Sequence, residues 1–157
     1  MTVAAEVVGD LIGRRDAATA LELGPNARPL VVGADAMELE GRPQLAAGSK
    51  LYVHDATVTP WPIPVRAYDL FVALQVFEHL GNRQREAFRE VRRVARHAVI
   101  SLPIDWQMPD PTNIHHGISN DRALEWFAPV APTRVVVGSP GARKRLIYVF
   151  EDLPAPD

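Results

Sequence analysis

YDLFVALQVFEHL, Tyr68 to Leu80, is the stretch whose reading decides the fold of this chain. Its apolar run from Leu70 to Leu74, opened by Asp69 and followed by a polar turn, has the pattern of a strand buried on both faces. In an open α/β sheet the ligand lies beyond the carboxyl ends of such strands, so Gln75 to His79 is the first place to look for a site.

Upstream, three shorter runs read as strands, Thr19 to Leu23, Leu30 to Ala34 and Lys50 to His54, closed by Gly24, Asp35 and Asp55. Before them Val3, Val7, Val8, Leu11 and Ile12 recur at helical spacing, with Gly13 placed as a C-cap. TPWPIPVR, Thr59 to Arg66, carries too many prolines for a central strand and is expected as an exposed loop. Downstream, Asn82 to Arg96 puts Ala87, Phe88, Val91, Val94 and Ala95 on one helical face and its arginines on a solvated one. His97 to Leu102 is then a strand stopped by Pro103. Ile104 to Asn120 is a long loop of the kind that carries function, and Ser119 caps a short helix. Thr133 to Val137 and Arg145 to Phe150 pair as a hairpin. The pattern predicts an α/β fold: a mostly parallel sheet, helices on both faces, and a C-terminal antiparallel hairpin. One domain over 1–157 is expected, with an N-terminal helix (1–17), a core (18–128) and a closing hairpin and tail (129–157).

Composition narrows the function classes. A formal net charge of −2 gives no reason to expect nucleic acid, and 47% hydrophobic residues with 23% charged is a globular balance. With no cysteine there is neither a disulfide framework nor a thiolate nucleophile or metal ligand. No apolar run reaches the roughly 20 residues of a membrane span, and the amino terminus does not read as a secretory signal, so a cytoplasmic protein is expected.

Among chemically useful side chains, Glu78 and His79 are expected to open a helix, the acid favoured by the helix dipole, with His79 a lesser candidate base. His115 and His116 are candidates for a general base or a substrate contact on the long loop. Being adjacent, they point apart and make a poor two-ligand set, so no metal is expected. Trp61, Trp106 and Trp126 line a pocket or pack in the core.

These residues resemble the class I methyltransferases that use S-adenosylmethionine, a Rossmann-like family of which the small-molecule type is the nearest likeness. The resemblance rests on LELGPN, VVGAD, YVHDA, DLFVALQVFEHL and VISLP, with NIHHGISNDRALEWF following the fifth strand. It implies S-adenosylmethionine as cofactor, with Glu22 and Gly24 at its methionine end and Asn26 or the Arg28 backbone replacing part of the glycine loop. It further implies Asp35 at the ribose, with Glu38 as the alternative if the strand end is displaced. Asp55 and Ala56 then meet the adenine, and Gln75 and Val76 the sulfonium. The expected reaction is methyl transfer to an oxygen or nitrogen of a small-molecule acceptor. The first turn departs from the family's glycine-rich form: Gly24 is its one glycine, and as drawn only about six residues separate the first two strands, short of the roughly 10–12 of a helical crossover. The competing expectation is a non-catalytic interaction protein that keeps the sheet without the cofactor. A homodimer paired along the hairpin edge is one way to complete an open pocket.

Overall fold

A computed structural model describes residues 1–157. Seven strands form one sheet in the order β3-β2-β1-β4-β5-β7-β6. They are β1 (Ala20–Leu23), β2 (Asp35–Glu38), β3 (Leu51–Val53), β4 (Tyr68–Leu74), β5 (Ala95–Pro103), β6 (Arg134–Ser139) and β7 (Arg145–Phe150). The first five are parallel, and β7 runs antiparallel to both β5 and β6. The helices are α1 (Val3–Arg15), α2 (Gln84–Val94) and α3 (Asn120–Phe127).

The stretch that opened the sequence reading is the middle of this sheet. Leu70, Phe71, Val72 and Ala73 have no exposed surface, as a strand covered on both faces requires. Successive side chains point to opposite faces, so Leu70 and Val72 meet Val7, Val8 and Leu11 of α1, while Phe71 and Ala73 join the larger core under α2 and α3. In that core Phe127 touches Phe88, Tyr148 and Phe150 at ring-centroid distances of 5.0, 5.2 and 5.0 Å. Truncating it to alanine removes about 3–5 kcal/mol.

Several sequence expectations are corrected. The second strand is not Leu30 to Ala34 but Asp35–Glu38. Gly33 turns the chain at φ +84°, and Leu30 and Val31 pack down on the α1 core while Val32 is 95% exposed. The apolar run is a loop that covers the sheet where a crossover helix would otherwise lie. In α1 the helix runs past Gly13 and ends when Asp16 takes the left-handed conformation at φ 51°, with Arg14 and Arg15 paired to Glu151. The proline loop is half hidden: Pro60, Pro62 and Pro64 face solvent while Trp61 and Ile63 are buried. Arg93, expected on a solvated face, donates to the carbonyls of Ile63 (2.7 Å) and Trp61 (3.0 Å) and pairs with Glu90 at 2.6 Å. The Trp61 N–H donates to Glu90 at 2.7 Å, so the pair fastens this loop to α2.

Candidate functional site

The carboxyl ends of β1 and β4 open on a cleft of about 570 Å³ lined by Glu22, Gly24, Asn26, Arg28, Leu30 and Leu74, among others. Gly24 has φ +63°, which favours glycine, and a Cβ there would lie 3.0 Å from Cγ2 of Val76. The first turn therefore rests directly on the residue after β4 that follows Gln75. Asn26 follows at φ 59°, and its backbone N–H donates to Glu38 Oε1 at 2.8 Å. Glu22 is 4% exposed, accepts from the Leu30 N–H at 2.6 Å, and burial pushes its pKa up to about 7.

Displacement of β2 changes which acid reaches this crevice. Asp35 sits at the amino-terminal end of the strand, where it accepts from the Lys50 N–H at 2.8 Å and from the Tyr68 hydroxyl. This corrects the expectation that it closes the strand: Glu38 occupies the carboxyl end instead. Asp55 and Ala56 do follow the carboxyl end of β3. Asp55 Oδ1 accepts from the Thr57 N–H and hydroxyl at 2.9 and 2.7 Å, which holds its carboxyl below the usual range. The Ala56 carbonyl accepts from the Trp61 indole at 3.0 Å. Gln75 takes φ 60°, a conformation non-glycine residues adopt at a cost of about 1–3 kcal/mol. Its N–H donates to the Ser101 carbonyl at 3.1 Å and its side-chain amide to Ser101 Oγ at 3.2 Å. A second cleft, of about 430 Å³, adjoins here between α1's first residues, Gln75, Ser101 and Arg145, and Leu74 borders both.

Contrary to the sequence expectation, Glu78 and His79 do not open α2. They lie in a separate 3₁₀ turn, Phe77–His79, and α2 begins only at Gln84 with no side-chain cap. The turn faces Glu78 inward. Its side chain has no exposed surface and neither carboxylate oxygen has a hydrogen-bond partner. Burial pushes its pKa up to about 7, with its own backbone N–H and then the Arg145 charge pulling the other way. Around it the long loop brings His115 Nε2 to 3.8 Å and the same turn brings His79 Nε2 to 4.0 Å from Glu78 Oε1. His79 is depressed by burial and by the facing His115.

The adjacent histidines part company, as adjacency predicts. His116 Nδ1 accepts from the Met108 N–H at 2.9 Å, so its neutral ring carries the proton on Nε2 and is a donor, not a base, there. His115 is the opposite case. Asn113 Oδ1 accepts from the His115 backbone N–H at 2.9 Å, and the same oxygen lies 3.0 Å from His115 Nδ1. An oxygen there needs a donor, so Nδ1 carries the proton and Nε2 keeps its lone pair toward Glu78. Trp106 lies beside this ring, tilted 31° to it at 5.7 Å, and is anchored by its indole N–H to the Lys144 carbonyl at 2.6 Å. A cleft of about 250 Å³ bordered by Glu78, Asn113, His116, Arg122 and Trp126 lies next to the cluster. Sequence reasoning missed the burial of Glu78; the signal available was an acid directly after the apolar Val76-Phe77 and two residues before Leu80.

Residues 15–100 match the family model described as a methyltransferase domain. The chain belongs to the class I S-adenosylmethionine-dependent methyltransferases. Solved structures agree on the fold of this methyltransferase. The N-methyltransferase NodS from Bradyrhizobium japonicum, in complex with S-adenosyl-L-homocysteine, is 12% identical with a TM-score of 0.71, over 95% of this chain and 85% of that one. An S-adenosylmethionine-dependent methyltransferase from Clostridium acetobutylicum is 8% identical with a TM-score of 0.68, over 92% and 89%. The methyltransferase domain of a bacterial CtHen1 is 13% identical with a TM-score of 0.67, over 93% and 96%. Comparison with curated protein sequences finds no match. No helix of the methyltransferase is long and apolar enough to cross a membrane.

Proposed function

We propose that this methyltransferase moves the sulfonium methyl of S-adenosylmethionine onto an oxygen or nitrogen of a small molecule. The observation that carries this reading is the single cleft shared by Glu22, Gly24 and Asn26, of about 570 Å³, with Gly24 seated on Val76 where β4 ends. Its volume is that of a small-ligand site, roughly 300–1,000 Å³. The cofactor supplies a methyl group already activated by the positive sulfur.

The chain's own residues bind and orient. Glu22 faces the methionine ammonium, which offsets the cost of keeping that carboxylate ionised while buried. Glu38 takes the ribose hydroxyls in place of Asp35, which serves β3 and β4 instead. Asp55 and Ala56 meet the adenine, and Gln75 with Val76 lies against the sulfur. The small cleft beside Glu78 receives the acceptor, and its modest volume supports a small molecule. Of the three histidines, His115 and His79 are left to offer a ring-nitrogen lone pair on the acceptor side, because the hydrogen bond from Met108 makes Nε2 of His116 a donor.

One observation favours the second reading, a methyltransferase-like protein without cofactor. Glu22 and Glu38 each already accept a backbone N–H from the first turn, Leu30 and Asn26, so that turn is satisfied by itself. Calorimetric titration with S-adenosylmethionine and with S-adenosylhomocysteine separates the two. One-to-one binding of both is expected; no heat at millimolar ligand contradicts the enzyme reading.

A further inference from the structure

We propose that Glu78, His79 and His115 form a binding site for a divalent transition-metal ion on the acceptor side of the crevice. The inference deepens the methyl-transfer reading and rests on it for its purpose, though not for its geometry. Each residue offers one ligand atom, and these atoms lie within 4.8 Å of one another. An ion bound at about 2.0–2.2 Å from each ligand asks the carboxylate–imidazole spans of 3.8 and 4.0 Å to shorten by roughly half an ångström, which side-chain rotation supplies.

Two independent features point to a cation rather than to a chance cluster. The first is Glu78 itself. Its side chain is fully buried, both oxygens are unpartnered, and Arg145, the nearest influential cation, forms no ion pair with it. A buried carboxylate in that condition is costly unless something positive meets it. The second is the tautomer of His115. The Asn113 oxygen fixes the proton on Nδ1 and leaves Nε2 unprotonated toward Glu78, the second-sphere arrangement that metal-bound histidines use.

The donor set names the ion's class. Two imidazoles and one carboxylate suit Zn²⁺, Mn²⁺, Fe²⁺ or Co²⁺ and not the all-oxygen preference of Ca²⁺ or Mg²⁺. Three protein ligands leave a coordination position open, and Glu78 also borders the cleft of about 250 Å³. An acceptor hydroxyl placed in that position would be polarised and would release its proton more readily to solvent water. His79, whose side chain is 51% exposed, gives the ion a way in from solvent.

The test is titration of chelator-treated full-length protein with Mn²⁺, Zn²⁺ and Co²⁺, followed by calorimetry and by the visible absorption of bound Co²⁺. One ion per chain is expected, with affinity reduced at least about tenfold in His79→Ala and in His115→Ala. His79→Ala, altering a half-exposed side chain, keeps the test open if His115→Ala fails to fold. Absence of stoichiometric binding in the wild type, or equal affinity in a folded His79→Ala variant, overturns the proposal. Because no cofactor is added, metal binding without S-adenosylhomocysteine binding would sink the methyl-transfer reading alone, and the converse would sink this inference alone.

Discussion

Glu22 and Glu78 are both 4% exposed, and burial raises both to a pKa of about 7, yet their surroundings differ in kind. Glu22 ends a strand under a turn that folds back to give it the Leu30 N–H. Glu78 sits in a turn where neither carboxylate oxygen has a hydrogen-bond partner and two imidazoles lie about 4 Å away. Equal burial thus produces two devices. The partnered acid is prepared for an organic cation that can share it with the backbone, and the unpartnered one asks for a charge of its own.

The largest break in this comparison comes from Gly24→Val. A side chain at φ +63°, pressed on Val76, is expected to lower cofactor affinity by about a hundredfold or more, equivalent to roughly 3 kcal/mol. Metal affinity at the Glu78 cluster should stay within about twofold, since the two sites share no ligand. Parallel calorimetry with S-adenosylhomocysteine and Mn²⁺ reads both, and equal losses would merge the two sites into one.

Next is the pH response of Glu22. Its folded pKa lies above its unfolded value of 4.5, so its contribution to stability is fully present below about pH 4.5 and fades as pH rises through about 7. The ceiling on that loss is about 3 kcal/mol. Chemical denaturation at pH 5 and pH 8 should show a smaller decline in Glu22→Gln than in the wild type. An unchanged decline would mean that Glu22 is already ionised at low pH.

The smaller effects separate neighbours. Glu38→Ala is expected to weaken S-adenosylhomocysteine by about tenfold, the order of one lost charge-assisted hydrogen-bonded contact. Asp35→Ala should lower thermal stability through Lys50 and Tyr68 while leaving affinity within about threefold. The reverse ranking would restore Asp35 to the ribose. Smallest is Asn113→Ala, which frees the His115 tautomer and should reduce Mn²⁺ affinity by a few-fold to about tenfold without altering cofactor binding.

Much of this was legible in the chain. The central strand, the amphipathic helix after it and the hairpin follow from periodicity, because burial on one or both faces leaves a direct trace in residue order. What was not legible was set by packing between distant segments. Leu30-Val31-Val32 reads as a strand by composition, but Leu30 and Val31 pack on the α1 core, Val32 faces solvent and the end is turned by Gly33, so β2 starts at Asp35 and the acid at its carboxyl end is Glu38. The proline loop hides Trp61 and Ile63 because Glu90 and Arg93 receive it, a contact across some 30 residues that no local pattern records. Likewise His115 reaches Glu78 only because the long loop returns over Trp106.

The most direct measurement is a crystal structure of the protein grown with S-adenosylhomocysteine. The account predicts the ligand's amino group at Glu22, its ribose hydroxyls at Glu38 and its sulfur against Gln75 and Val76. A ligand whose ribose lies on Asp35, or a first turn that stays empty at saturating ligand, would contradict it.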